Sequence, residues 1–344
     1  MPDRTSEWYD ALPPRDLSLS SRWGTEEFRD ELREWCASYV GAVAAMEQQK
    51  LRGWATVWRV ETSHGLWFAK QNCPGQQIEI PLMATLSEVV PDRVVPVTAA
   101  RDGFLLTPDQ GDVFYETAGG DLANWVRLAR EAAELQRALL PHQDALLAAG
   151  LTELRPEQGS DYLAARVEQY AALAQGDSRR LAPEVADRLR AHLPVVRRWG
   201  EQVAALGLPL TLNHNDLHEN NVFDVAGRLR FFDFGDSLVT EPLGVLLIPL
   251  NILGEKLGAG DDDERLWQVA EAALEVWSDL VPMAELRAAL PAALQLGRLG
   301  RVESWVRCQP SLSDAELAEW GPVAATWLGT LDAAPPVGRA DRAG

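Results

Sequence analysis

Apolar and polar positions along this chain follow several rhythms in turn. Up to residue 22 it is polar and broken by Pro13-Pro14, which reads as a loosely packed lead-in. From Thr25 to Val40 the period becomes helical, with acids in the first turn and a stripe of Phe28, Leu32 and Trp35. Trp54 to Val60 and Gly65 to Lys70 are β-rich runs separated by Glu61-Thr-Ser-His64, a hairpin signature. A short helix is expected from Glu79 to Leu86, where Pro81 is tolerable because it falls in the first turn. Residues 94–97 and 103–106 read as further strands, and Thr107-Pro-Asp-Gln-Gly111 as a connector.

From about residue 119 onward the period is mostly helical. One helix runs over 121–140 and stops at Pro141; another runs over 183–206, with proline in its first turn and Gly207 as its stop. Helices resume at about 243–257, 264–279, 283–308 and 313–331. A β island interrupts them: 210–212, then Val222-Phe223 and 229–232 around a turn at Ala226-Gly227. There is no internal repeat. The pattern predicts an α+β chain of two lobes, with a lead-in over 1–24, a small β-rich N-terminal lobe over 25–110 and a large, mainly helical C-terminal lobe over 111–331. The Pro-, Gly- and Ala-rich tail, 332–344, is expected to be disordered.

Composition narrows the class. The 344 residues, 47% of them hydrophobic, suffice for one large or two modest cores. No apolar run reaches the ~18–20 residues of a bilayer span; the longest, Leu243 to Leu253, contains Pro249. The N-terminus lacks the layout of a signal peptide, and the scattered Cys36, Cys73 and Cys308 fit a reducing cytosol better than a disulfide framework, so a cytoplasmic protein is expected. A net charge of −19 disfavours nucleic acid and anionic membrane as partners and would attract a cationic substrate, unless it serves solubility alone. Of 32 basic residues only Lys50, Lys70 and Lys256 are lysines. In an Arg-rich chain they mark places where a compact point charge is needed instead of a planar fork.

The densest chemistry is His214-Asn-Asp216-Leu-His218-Glu-Asn-Asn221, which fits H-x-D-L-x-x-x-N at every fixed position. Twelve residues beyond Asn221 stands Asp233-Phe-Gly235, after an apolar strand. Phosphoryl transfer needs an oxygen nucleophile aimed in line and Mg²⁺ across the phosphate oxygens. Asp216 would take the hydroxyl proton, within a loop completed by His214 and His218. Asn221 and Asp233 would supply hard oxygen ligands to the metal. A polar turn beside an incidental hairpin leaves this concentration of His, Asp and Asn unexplained. A zinc site lacks H-E-x-x-H or a Cys/His set, and an aspartyl-phosphate site lacks companion motifs.

In the small lobe, Lys70 ends a strand as a phosphate-positioning lysine would, with Glu79 as its partner and Glu88 as the fallback. Backbone amides at 53–56 and the Thr56 hydroxyl would cover phosphate, although Gly53 is the only glycine of that turn. Leu105 to Asp109 has the layout of a nucleotide hinge, with Leu106 and Pro108 in it; Pro108 has no N–H to offer.

On these residues the chain resembles the aminoglycoside phosphotransferase family. His214, Asp216, Leu217, His218 and Asn221 match its catalytic loop H-G-D-L-H-x-x-N, with Asn215 in place of glycine, and Phe232-Asp233-Phe234-Gly235-Asp236 matches its metal-binding segment. The resemblance implies a bilobal protein-kinase-like fold, ATP or GTP with Mg²⁺, a small-molecule hydroxyl acceptor (aminoglycoside, sugar or amino alcohol) and a monomer or homodimer. Departures fall after the motif, where Ser237 to Gly244 replaces the family's usual G-D-P continuation and Leu243 to Leu250 is more apolar than usual, and they bear on the acceptor. Acidic candidates for contacting it are Asp236, Glu241 and Glu303. Asp261 to Glu264 fits a helix cap better, and Glu303 fits an ion pair with Arg298, Arg301 or Arg307. One or two of the thirteen tryptophans would form a stacking wall. A protein kinase is disfavoured, since A-P-E is absent and only seven residues separate Asp233 from Glu241. A nucleotide-binding module without turnover would not need the full Lys, Asp, Asn and Asp set.

Overall fold

The computed structural model describes residues 11–118, 121–260 and 262–339, and the side chains of 117 and 118 are left aside. The small lobe holds α1 (Glu26–Val40), β1 (Val43–Arg52), β2 (Ala55–Thr62), β3 (Gly65–Asn72), α2 (Glu79–Val89), β4 (Ala99–Arg101) and β5 (Phe104–Pro108). Its antiparallel sheet runs β1-β2-β3-β5-β4. The expected hairpin is β2–β3, with Val57 opposite Lys70. Phe28, Leu32 and Cys36 of α1 meet Trp58, Val60, Phe104 and Leu106 of the sheet in one core, where each large apolar side chain contributes about 1.5–3 kcal/mol.

Two strands depart from the pattern. β1 lacks an alternating signature because it is an edge strand whose only buried side chain is Met46. The strand expected at 94–97 reduces to one bridge, Val94 to Phe231, since Pro96 cannot donate to a ladder.

The large lobe contains α3 (Phe114–Ala118), α4 (Leu122–Ala138), α5 (Gln143–Ala148), α6 (Gly159–Ala171) and α7 (Pro183–Ala204). The β island follows: β6 (Thr211–Asn213), β7 (Val222–Val225), β8 (Arg228–Phe231) and β9 (Leu238–Thr240). β6 pairs with β9 and β7 with β8, so the loop 214–221 and the segment 232–237 are both anchored at strand ends. Then come α8 (Leu247–Leu257), α9 (Glu264–Leu274), α10 (Met283–Cys308), α11 (Asp314–Trp320) and α12 (Val323–Gly329). Asp263 caps α9 through the Arg265 N–H, as expected, while Asp261 lies outside the described residues. α10 is buried on nearly all sides and is the axis of the lobe. The helix expected over 313–331 is two, broken at Gly321-Pro322 because proline restarts the helix.

Both ends differ from expectation. The described part of the lead-in is a strap: the Asp16 N–H donates to Pro310 O at 2.8 Å, Arg15 Nη2 to Leu312 O at 2.7 Å and Ser20 Oγ to Ser311 O at 2.8 Å. Trp23 is fully buried and its indole donates to Gln71 Oε1 at 2.6 Å. The tail is packed through residue 339, with Val337 fully buried and the Gly338 N–H on Asp262 Oδ1 at 3.1 Å. Residues 1–10 and 340–344 lie outside the described residues. Among the described residues no helix is long and apolar enough to cross a membrane.

Candidate active site

β3 and the start of α2 set up the first half of the site. Lys70 and Asn72, two apart on β3, share a face and converge on Glu79. Lys70 Nζ donates to Glu79 Oε2 at 2.6 Å and to Asp233 Oδ1 at 2.5 Å, and Asn72 Nδ2 donates to Glu79 Oε2 at 2.6 Å. Glu79 Oε1 accepts the Phe234 N–H at 3.0 Å. Burial alone would lower the Lys70 pKa, but Asp233 and Glu79 outweigh it and raise it. Lys70, Glu79 and Asp233 therefore stand together, whereas Glu88 is exposed on the far end of α2.

The second half is the loop after β6. His214 Nε2 is 2.9 Å from Phe232 O and its ring lies 4.8 Å from Phe234. Burial lowers its pKa, so it stays neutral and serves as a spacer between the two motifs. Asn215 adopts φ 64°, the left-handed region that glycine enters freely and asparagine tolerates. Its side-chain amide does what glycine cannot, donating to Gly300 O at 2.8 Å, Ser304 Oγ at 2.7 Å and Asp236 O at 3.1 Å. This departure from H-G-D binds the loop to α10.

Asp216 Oδ1 is 3.2 Å from Arg301 Nη1, and Asp216 Oδ2 is 3.8 Å from His218 Nε2. His218 Nδ1 accepts the Asn220 N–H at 3.1 Å, which leaves the ring proton on Nε2, facing Asp216. Burial would raise the Asp216 pKa, but Arg301 and His218 favour the anion and hold it at about 2. Asn221 Nδ2 donates to Asp216 O at 3.0 Å, leaving its amide oxygen as an acceptor for a cation. Asp233 also sits at positive φ, 62°. Its pKa is lowered against the effect of burial by Lys70 and Lys50. One amide oxygen and one carboxylate suit Mg²⁺, which takes few protein ligands and completes its shell with phosphate and water. Among the described residues no group of three or more His, Cys, Asp or Glu could hold a metal ion alone.

Two cavities meet at Asp233. The first, ≈ 310 Å³, is walled by Val57, Phe68, Met83, Leu105, Phe223 and Phe232, with Lys70 at its polar end. The second, ≈ 200 Å³, is lined by Lys50, Trp54, Gln76, Asp216, Arg301 and Ser304. Asp233 lines both. Asp236, expected near the acceptor, also faces the second cavity, where Gln76 Nε2 donates to its Oδ1 at 2.7 Å and Arg301 Nη1 lies 3.2 Å from its Oδ2.

Several expected residues do other work. Gly53 N–H donates to Glu316 Oε1 of α11 at 2.5 Å, and Trp54 packs edge-on against Trp305 and Trp320 at centroid distances of 5.7 and 5.6 Å. That turn is fastened to the large lobe. Thr56 is fully buried; its hydroxyl donates to Lys50 O at 3.1 Å and accepts from Gln48 Nε2 at 3.0 Å, so it holds the hairpin together. Leu106 points into the small-lobe core, since alternation sends Leu105 and Thr107 to the cavity; Pro108 does line the cavity. Glu241 caps the turn 243–246, accepting the N–H of Leu243 at 2.6 Å and of Gly244 at 2.9 Å, and burial lifts its pKa to about 7. Glu303 pairs with Arg166 at 3.0 Å and accepts from Tyr162 OH at 2.8 Å. Two residues along a helix turn about 200°, so Glu303 faces away from the site while Arg301 and Ser304 share the face toward it. Sequence reasoning missed Arg301 as a site residue; among the four arginines of that helix nothing local singles it out.

A lysine and a glutamate on the sheet side, the loop 214–221, Asp233 and two cavities meeting at it fit a phosphotransferase of protein-kinase-like fold. The chain belongs to the phosphotransferase enzyme family (APH), whose profile matches residues 47–265. No curated protein is a significant match. Among solved structures, Plasmodium vivax ethanolamine kinase superposes with a TM-score of 0.63 at 12% identity, covering 94% of this chain and 96% of that one. The GDP complex of a wild-type aminoglycoside 2′-phosphotransferase gives 0.54 at 16% identity, covering 89% and 98%. Choline kinase from Streptococcus pneumoniae gives 0.54 at 15% identity, covering 88% and 98%. At these identities the likeness establishes the bilobal fold.

Proposed function

We propose that the protein transfers the γ-phosphoryl group of ATP or GTP to a hydroxyl of a small molecule. The observation that carries this reading is that Asp233 lines both cavities, with Lys70 on one side of it and Asp216 on the other. The nucleotide occupies the apolar cavity beside Leu105 and Pro108, its phosphates directed to Lys70. Binding of a guanine nucleotide by one structural relative keeps GTP beside ATP as donor. Mg²⁺, held by Asp233 and the Asn221 amide oxygen, supplies charge neutralisation at the phosphates. Asp216, ionised throughout the physiological range, accepts the proton of the attacking hydroxyl. Arg301 and His218 hold its carboxylate in place, and His214 keeps the two motifs in register.

The test is Asp216→Asn. Acceptor-dependent ADP release should fall by about 10²–10⁴-fold, the usual worth of a positioned base, while calorimetric affinity for the Mg-nucleotide stays within about twofold, since Asp216 lies outside the apolar cavity. Undiminished transfer by the variant would remove Asp216 from the role of base.

A further inference from the structure

The acceptor side of the site carries a charge pattern that the bulk composition hides. Three carboxylates line the second cavity, and each already stands beside a cation: Asp216 and Asp236 share Arg301, and Asp233 pairs with Lys70. Among the described residues Lys50 has neither an ion pair nor a hydrogen bond from its ammonium group, although it is half-buried, lines the same cavity and lies near enough to Asp233 for its charge to favour that carboxylate's anion. It stands on β1 beside Trp54, which with Trp305 forms an aromatic wall. Gln76 and Ser304 add neutral polar groups.

We propose that the acceptor is an anionic hydroxyl compound whose carboxylate or phosphate pairs with Lys50, with its carbon skeleton against Trp54 and Trp305. The proposal rests on the phosphotransfer reading above and names the acceptor class for the same site. A cationic amine would find every carboxylate here already beside a cation and would bring a second positive charge toward Lys50. An anion would give that ammonium a contact partner as the cavity fills and its water leaves. The overall charge of −19 does not override this, because contact pairs act well within the ~8–10 Å over which salt screens the remaining surface. The scarcity of lysine fits as well: a point charge meets a carboxylate or phosphate from any direction, which suits an anion presented on a flexible acceptor.

The experiment uses the full chain with labelled ATP, Mg²⁺ and two matched series: glucuronate, glucose and glucosamine; then glycerate, glycerol and choline. Wild type should use the anionic member of at least one series about tenfold or more better in kcat/KM than its neutral and cationic counterparts, the worth of one charged hydrogen bond. Lys50→Met should raise KM for that member by a similar factor and leave KM for ATP within about twofold; Lys50→Arg, which keeps the charge but not its compact shape, should recover part of the loss. Equal or better use of neutral or cationic members overturns the proposal. So does a Lys50→Met defect that falls on KM for ATP, which would give Lys50 to the nucleotide. Absence of transfer to every member, or transfer confined to glucosamine or choline, overturns the acceptor class alone, whereas absence of Mg-nucleotide binding by calorimetry overturns the phosphotransfer reading with it.

Discussion

Lys70 and Asp233 are 163 residues apart in the chain, and the ammonium of one stands 2.5 Å from the carboxylate of the other. That contact joins the sheet of the small lobe to the β island of the large one. Glu79 also accepts from the ammonium and receives the Phe234 N–H, so it secures both the lysine and the segment carrying Asp233.

Removing the cation should therefore affect chemistry more than binding. Lys70→Met is expected to lower kcat by about 10²–10³-fold, as for loss of one preorganised charge at the transferred group, with KM for the acceptor little changed. Glu79→Gln should follow in the same direction with a smaller loss, because Asp233 still positions Lys70. Steady-state kinetics on both variants, with circular dichroism to establish folding, provide the check. Unchanged turnover in Lys70→Met would detach this lysine from the reaction.

Asp216 and Arg301 give a pH prediction. Burial opposes ionisation of Asp216, while Arg301 and His218 overcome it and keep the carboxyl at about 2. A depressed pKa means that the base is ionised at every pH above it, and activity fails only as pH falls through it. With Arg301→Leu the opposing burial remains and the main compensating charge is gone. The acidic limb of kcat/KM should then move upward by at least about one pH unit, enough to enter the range where the protein can be assayed. Profiles of wild type and variant between pH 4 and 8 decide the point, and coincident acidic limbs would show that Arg301 does not set the ionisation of Asp216.

What was legible in the chain follows from what each feature depends on. The loop 214–221 and Asp233 were readable because the chemistry demands particular residue types at particular spacing, and the adjoining strands declare themselves by apolar runs. The Lys70–Glu79 pair was readable because a strand end and a helix start bring the two together. By contrast, α10 is buried all round, so no apolar stripe says which way its polar residues point. Arg301 faces the site and Glu303, two residues on, faces Tyr162 and Arg166 instead. The order of the lead-in and tail is tertiary as well. It depends on Trp23 entering the small-lobe core and Val337 entering the large one, and no local pattern records either.

The turn that carries Gly53 yields the last prediction, since its N–H is committed to Glu316 of α11. A Cβ at position 53 would lie 2.8 Å from Glu316 Oε2 and 2.9 Å from Ser311 O, and the second of these is backbone that cannot swing aside. Gly53→Ala should therefore push the hairpin tip off the large lobe, at about 1–3 kcal/mol for the overpacking. Glu316→Ala reaches the same end without a clash, by deleting a hydrogen bond to a charged acceptor worth about 1.5–3 kcal/mol. Trp54 moves with the tip and lines the second cavity, proposed for the acceptor, whereas Val57 and Phe68 of the first, proposed for the nucleotide, sit deeper in the sheet. Both variants should accelerate amide exchange over residues 51–56 by about tenfold or more. They should also raise KM for the acceptor more than KM for the nucleotide. If exchange quickens in neither variant, the tip is held by the edge-on packing of Trp54 against Trp305 and Trp320 alone, and Trp320→Ala becomes the substitution that should release it.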